Sequence, residues 1–140
     1  MGGLPIEGVA VQVAKCFEAS DSNSSLQRFI LTDTNEHDYS KIKPEISSDD
    51  ELCLDRGDDS SEDGSGIQLQ QCQEDSESQL WKIQNHKISS DFGELQKCLD
   101  IEEDSGPYQV PDEPYPSEKF LQTWTCFEGN ENQMWKLVQI

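Results

Sequence analysis

Leu121 to Leu137 reads LQTWTCFEGNENQMWKL. An alternating run ends in a cysteine, and seven residues after Cys126 a Gln-x-Trp triplet begins at Gln133. The alternation predicts a strand with Leu121, Thr123 and Thr125 on one face and Gln122, Trp124 and Cys126 on the other. Glu128 to Asn132 has turn chemistry, so the whole stretch reads as a hairpin. Ile67 to Ile83, IQLQQCQEDSESQLWKI, repeats the pattern with the same spacing of seven from Cys72 to Gln79. Val11 to Ile30, VQVAKCFEASDSNSSLQRFI, is a looser copy with Phe29 where the others have Trp81 and Trp135. Three copies imply an internally repeated all-β protein.

Between the copies lie further strand signals. Val9–Cys16, Gln27–Leu31, His86–Ser90 and Leu95–Ile101 read as strands, and Ile42–Ile46 as a short one that Pro44 confines to a sheet edge. Cys-Leu-Asp occurs twice, at Cys53-Leu54-Asp55 and Cys98-Leu99-Asp100. An acidic turn runs from Asp58 to Gly66. The connection from Glu102 to Lys119 holds four of the six prolines together with Tyr108 and Tyr115. No stretch sustains a helical period. Four strands per unit and three units predict twelve strands. A single unit cannot bury its apolar face, whereas three around an axis close a barrel.

The bulk properties narrow the function classes. At 140 residues with 33% hydrophobic content, the chain suits one domain with a modest core. Its net charge of −19 repels nucleic acid phosphates and anionic membranes, so neither is an expected partner. No apolar run reaches the length of a membrane span, and MGGLPIEG has neither the basic start nor the apolar centre of a signal peptide. Five cysteines at repeated positions nonetheless point to an oxidising compartment, extracellular or in the secretory pathway.

The set Cys-Leu-Asp, then (Ile/Leu)-Gln-x-x-x-Cys, then Gln-x-Trp resembles the ricin B-chain-type lectins. The second and third copies match fully, the first in part. The resemblance implies a β-trefoil over residues 1–140, with repeats of approximately 1–40, 41–86 and 87–140. It implies disulfides Cys53–Cys72 and Cys98–Cys126. Cys16 is left over, because its counterpart would lie before Met1, as would the first repeat's Cys-Leu-Asp. Three readings stay open: a first repeat truncated by about two strands, which we favour, strands supplied by a neighbouring copy, or Leu4–Ile6 as a substitute.

The resemblance also implies a non-enzymatic sugar-binding role, with galactose or N-acetylgalactosamine as the ligand type and glycans or glycoproteins as partners. A pyranose needs an aromatic platform under its C–H face and polar groups fixing its hydroxyls. In the third repeat the family pattern maps onto Asp100 as the acid, Trp124 as the platform, Asn132 as the amide and Gln133 as the support, with Gln122 beside them. The second repeat keeps Asp55, Gln68 and Gln79, but Gln70 stands at the platform and Ser78 replaces the Asn. The first has Ala14 and Leu26 at these positions and no Asp. One competent site is therefore expected, in the third repeat. Asp100 and Gln122 are 22 residues apart against 13 for Asp55 and Gln68, so the long loop either extends that site or lies across it. Two other classes compete: a carbohydrate-binding module severed from an enzyme or toxin, and a trefoil with decayed sites that binds proteins.

Other signals are discounted. Arg56-Gly57-Asp58 is the tripeptide integrins read, but short motifs match by chance. Asp59, Ser61, Asp63 and Gly64 resemble the start of a calcium loop, yet Gln70 stands at its twelfth position. Asn23-Ser24-Ser25 is a glycosylation sequon. His37 and His86 have no nucleophile at recognisable spacing, so no catalytic residue, metal or cofactor is expected.

Overall fold

The computed structural model describes residues 7–8, 11–13, 18, 20–32, 34–46, 51–57, 63–92, 95–102 and 119–138. Among them are ten strands: β1 (Gln12–Val13), β2 (Phe29–Thr32), β3 (Tyr39–Pro44), β4 (Leu52–Asp55), β5 (Ser65–Gly66), β6 (Gln68–Gln71), β7 (Trp81–Gln84), β8 (Lys87–Phe92), β9 (Leu95–Ile101) and β10 (Lys119–Thr125). Helical structure is confined to short 3₁₀ turns at Ser22–Gln27, Glu77–Gln79 and Glu131–Gln133. All pairings are antiparallel. The order in the larger sheet is β1-β10-β9-β8-β7-β3-β2, with β5 also on β10, while β4 and β6 form a separate pair.

The threefold pattern of the sequence reappears in hydrogen bonds. Val11, Ile67 and Leu121 open the three copies. The Val11 N–H donates to the Ile67 carbonyl at 2.9 Å, Ile67 to Leu121 at 3.2 Å, and Leu121 back to Val11 at 3.1 Å. A closed ring of bonds between equivalent positions marks a pseudo-threefold axis. Around it the core gathers Ile42, Leu52, Leu54, Ile67, Leu69, Trp81, Ile88, Leu99 and Leu121, with Val11, Ile83, Ile101 and Trp135 packed against it. This is the β-trefoil arrangement.

Two disulfides staple the Cys-Leu-Asp strands to the ends of the Gln-rich strands: Cys53–Cys72 and Cys98–Cys126, closing loops of 19 and 28 residues. Constraining the unfolded chain in this way contributes on the order of 3 kcal/mol per bridge.

Several expectations are corrected. The short strand around Pro44 is β3, Tyr39–Pro44 and not Ile42–Ile46, and its start is flanked by a different strand from its end: Tyr39 and Ser40 pair with β7, while Lys41 to Pro44 pair with β2. Pro44 is accommodated because it occupies the last position, where only β2 lies alongside. The second half of the Gln-x-Trp hairpin is a strand at Trp81 but not at residues 134–138, and in both copies the Gln closes a 3₁₀ turn rather than opening a strand. The aromatic of the first copy does not join the core: Phe29 is 45% exposed where Trp81 is 0%. Trp81 is held by its indole N–H on the Leu54 carbonyl, whereas the Phe29 ring has no N–H to donate and the first copy carries no Cys-Leu-Asp. Cys16, Leu4–Ile6, Ala14, Asp58 and residues 103–118, including Tyr108 and Tyr115, lie outside the described residues.

Candidate functional site

The two complete copies build the same polar frame from the same residue types. Each Asp ends a Cys-Leu-Asp strand and sits opposite the Gln that opens the neighbouring strand: Asp55 opposite Gln68, Asp100 opposite Gln122. This register is identical in the two copies, so the longer connection in the third is accommodated without shifting the strand pair. The Gln of each Gln-x-Trp reaches back to the Asp. Gln79 donates to Asp55 Oδ2 at 3.0 Å and to the Gln71 carbonyl at 2.8 Å, and accepts the Gln73 N–H at 2.8 Å. Gln133 repeats each contact, to Asp100 Oδ2 at 2.9 Å, the Thr125 carbonyl at 2.9 Å and the Phe127 N–H at 2.9 Å. The indoles follow suit, Trp81 on the Leu54 carbonyl and Trp135 on the Leu99 carbonyl, both at 3.0 Å. Every donor and acceptor of these buried Gln side chains is thus used, which offsets the cost of burying an amide.

The frames differ at the second carboxylate oxygen. In the third copy Gln122 donates to Asp100 Oδ1 at 3.1 Å, so two side-chain amides grip one carboxylate that is only 4% exposed. In the second copy the Gly57 N–H takes Asp55 Oδ1 at 2.7 Å, and Gln68 turns instead to Gln70 at 3.0 Å. Gln70, at the platform position, is thereby tied along the strand. Beside Asp100, Trp124 is half-buried. Asn132 lies in the 3₁₀ turn whose start is capped by Asn130 Oδ1 on the Asn132 N–H at 3.0 Å, and the Asn132 side chain is half-buried. The structure therefore brings Asp100, Gln122 and Gln133 into direct contact, with Trp124 on β10 and Asn132 in the adjoining turn. It brings together Asp55 with Gln79, while Gln68, opposite Asp55 in register, accepts a hydrogen bond from Gln70 instead.

Asp63 was legible only as a fragment of a calcium loop, and its observed role is different. Its Oδ1 accepts Lys97 Nζ at 2.6 Å, the Thr125 N–H at 2.6 Å and the Thr125 hydroxyl at 2.9 Å. Burial by itself raises the Asp63 pKa, but the Lys97 ammonium and the two Thr125 donors outweigh it and hold the carboxyl below the ordinary range. With its oxygens so engaged, Asp63 is a poor cation ligand, and no group of metal-holding side chains occurs among the described residues. Arg56 is likewise turned inward, 5% exposed, donating to Ser90 Oγ at 2.6 Å and to the carbonyls of Gly57 and Asp91 at 3.0 and 2.7 Å. A guanidinium so placed does not present Arg-Gly-Asp to a receptor. Arg56 instead borders a surface cavity of about 770 Å³ lined by Gln73 to Ser78.

Fold and frame together define a class: a β-trefoil whose repeated Asp–Gln–Trp units belong to a binding fold rather than a catalytic one. The family model of the ricin-type β-trefoil lectin domain matches residues 1–135, and the chain belongs to that family. Carbohydrate binding is the function the family suggests. Comparison with curated proteins and with solved structures found no match. No helix among the described residues is long and apolar enough to cross a membrane, and the two disulfides are consistent with an extracellular location.

Proposed function

We propose that this chain is a single-domain lectin, with repeats of approximately 1–40, 41–86 and 87–140, that binds galactose- or N-acetylgalactosamine-type glycans mainly through its third repeat. The observation that carries this reading is the Asp100 carboxylate held by Gln122 and Gln133 on the strand pair that bears Trp124. A carboxylate oxygen engaged by one amide keeps a lone pair for a sugar hydroxyl. The amides fix its orientation before a ligand arrives. Trp124 offers the apolar face, and Asn132 supplies a donor and an acceptor for a vicinal hydroxyl. Exposure alone favours Asp55, which is less buried than Asp100, but its neighbour Gln70 offers no ring.

Titration calorimetry against galactose and N-acetylgalactosamine tests the assignment. Trp124→Ala removes stacking and burial worth roughly 1–3 kcal/mol, enough to abolish detectable binding of a weakly held monosaccharide. Asp100→Asn does nearly the same by removing a charged acceptor at constant shape. Asp55→Asn leaves binding at the parental value. Weakening by Asp55→Asn with an unaffected Trp124→Ala would move the site to the second repeat.

One observation favours a second reading. Phe29, Ile30 and Leu31 are all exposed on β2, a strand that pairs only with β3 among the described residues. Such an edge suits a protein-interaction role. A folded protein silent on a glycan array would decide for it.

A further inference from the structure

We propose that Asp63 and Gly64, which belong to the second copy of the pattern, position the Trp124 platform of the third, so that the sugar site is built across two repeats. This rests on the reading of Trp124 as the platform. The segment 63–66 runs along the edge of β10 opposite β9, with Ser65 paired to Thr123 and Gly66 to Gln122. The peptide on each side of Trp124 is tied to it. The Gly64 N–H donates to the Thr123 carbonyl at 2.8 Å, and Asp63 Oδ1 takes the Thr125 N–H at 2.6 Å. Thr125 cannot rotate away either, because its hydroxyl bonds both Asp63 oxygens at 2.9 and 3.0 Å. Lys97, opposite Thr125 on β9, closes the clamp at 2.6 Å from Asp63 and 3.2 Å from the Thr125 hydroxyl.

Gly64 also neighbours the ring. A Cβ added there would meet Trp124 Cζ3 at 3.7 Å and Gln122 Oε1 at 3.8 Å, ordinary van der Waals contact, so this residue lies within one methyl group of the indole edge and of the amide that holds Asp100. Its φ of +98° is a conformation that glycine adopts without strain. The acidic turn after Cys-Leu-Asp of one repeat is therefore part of the wall of the next repeat's site. A side-chain platform without such a backing would sample several orientations, and the sugar would have to select among them.

The test uses the full chain and the variants Asp63→Leu, Asp63→Asn and Trp124→Ala. Indole N–H signals in a ¹H–¹⁵N spectrum report the three tryptophans separately, with the Trp124 signal identified by its loss in Trp124→Ala. Asp63→Leu is expected to shift or broaden the Trp124 signal while those of Trp81 and Trp135 stay in place, and to weaken galactose binding roughly five- to tenfold, the value of one charge-assisted contact. Asp63→Asn keeps an acceptor for Thr125 and restores much of both. An unmoved Trp124 signal in Asp63→Leu overturns the proposal whatever the sugar does. A parental affinity in Asp63→Leu, where Trp124→Ala does not bind, overturns it while leaving the third-repeat site standing. Parental binding by Trp124→Ala removes that site instead, and with it the cross-repeat role in sugar binding. If Asp63→Leu does not fold, Thr125→Val removes the hydroxyl from the same clamp. A smaller displacement of the Trp124 signal then supports the proposal, and none overturns it.

Discussion

At the scale of single residues, the repeated pattern shows where this chain departs from its own rule. Leu69 and Thr123 occupy the same position in their copies, third from the start. Leu69 joins the core, whereas the Thr123 hydroxyl is fully buried with no hydrogen-bond partner among the described residues. An orphaned hydroxyl costs its desolvation and returns nothing. Thr123→Val keeps the shape and removes the polar atom, so it is expected to stabilise the protein by about 1 kcal/mol. A higher urea midpoint at unchanged slope is the sign to look for. A lower midpoint would mean that the hydroxyl is hydrated or bonded in solution.

Between elements, the sheet is held by side chains as well as by its ladders. Tyr39 on β3 donates its hydroxyl to Asp91 on β8, spanning β7, which pairs with both strands. The hydrogen bond to Asp91, then burial, then the charge of Asp91 push the Tyr39 pKa up to about 12 from its ordinary 10.0. Because the folded protein holds this proton more tightly than the unfolded chain, the contribution to stability is complete below pH 10 and is lost as the pH rises towards 12. Tyr39→Phe should therefore unfold more easily than the parent at neutral pH and lose part of the alkaline decline. Its phenolate absorbance titration should also lack a step near pH 12. A late step that survives in Tyr39→Phe would assign it to another tyrosine.

For the whole molecule, net charge is an unfavourable feature. A net −19 on 140 residues repels itself in the compact state, and only ten lysines and arginines oppose it. Raising the ionic strength from about 0.01 to 0.15 M shortens the Debye length from roughly 30 to 8 Å, which screens distant like charges. The thermal midpoint should rise by several degrees over that range, corresponding to about 1 kcal/mol or more. Calorimetry at both salt concentrations reads this directly. A midpoint that falls with salt would show that close pairs such as Lys97–Asp63 outweigh the general repulsion.

The sequence by itself determined the all-β class and the threefold repetition, and the family resemblance it carries implied both disulfide pairings and the residues of the polar frame. The repetition follows from local spacing: the distance from Cys to Gln-x-Trp, the alternation of each strand, and the recurrence of Cys-Leu-Asp; the pairings and the roles in the frame follow from the family resemblance which that spacing carries. A residue's chemistry at a repeated position is legible wherever the repeat is intact. What only the tertiary structure decided is how neighbouring copies meet. Nothing near Phe29 in sequence says that its ring stays 45% exposed on β2, and Pro44 could not reveal that the start of β3 pairs with β7. Asp63 reads as one carboxylate of a solvated acidic turn until folding sets Lys97 and Thr125 against it. Gln122 and Gln68 are the same residue at the same register, yet one grips its Asp and the other turns to Gln70. Such choices depend on which partner stands within 3 Å after the chain closes around its axis, and sequence spacing within one repeat carries no information about them.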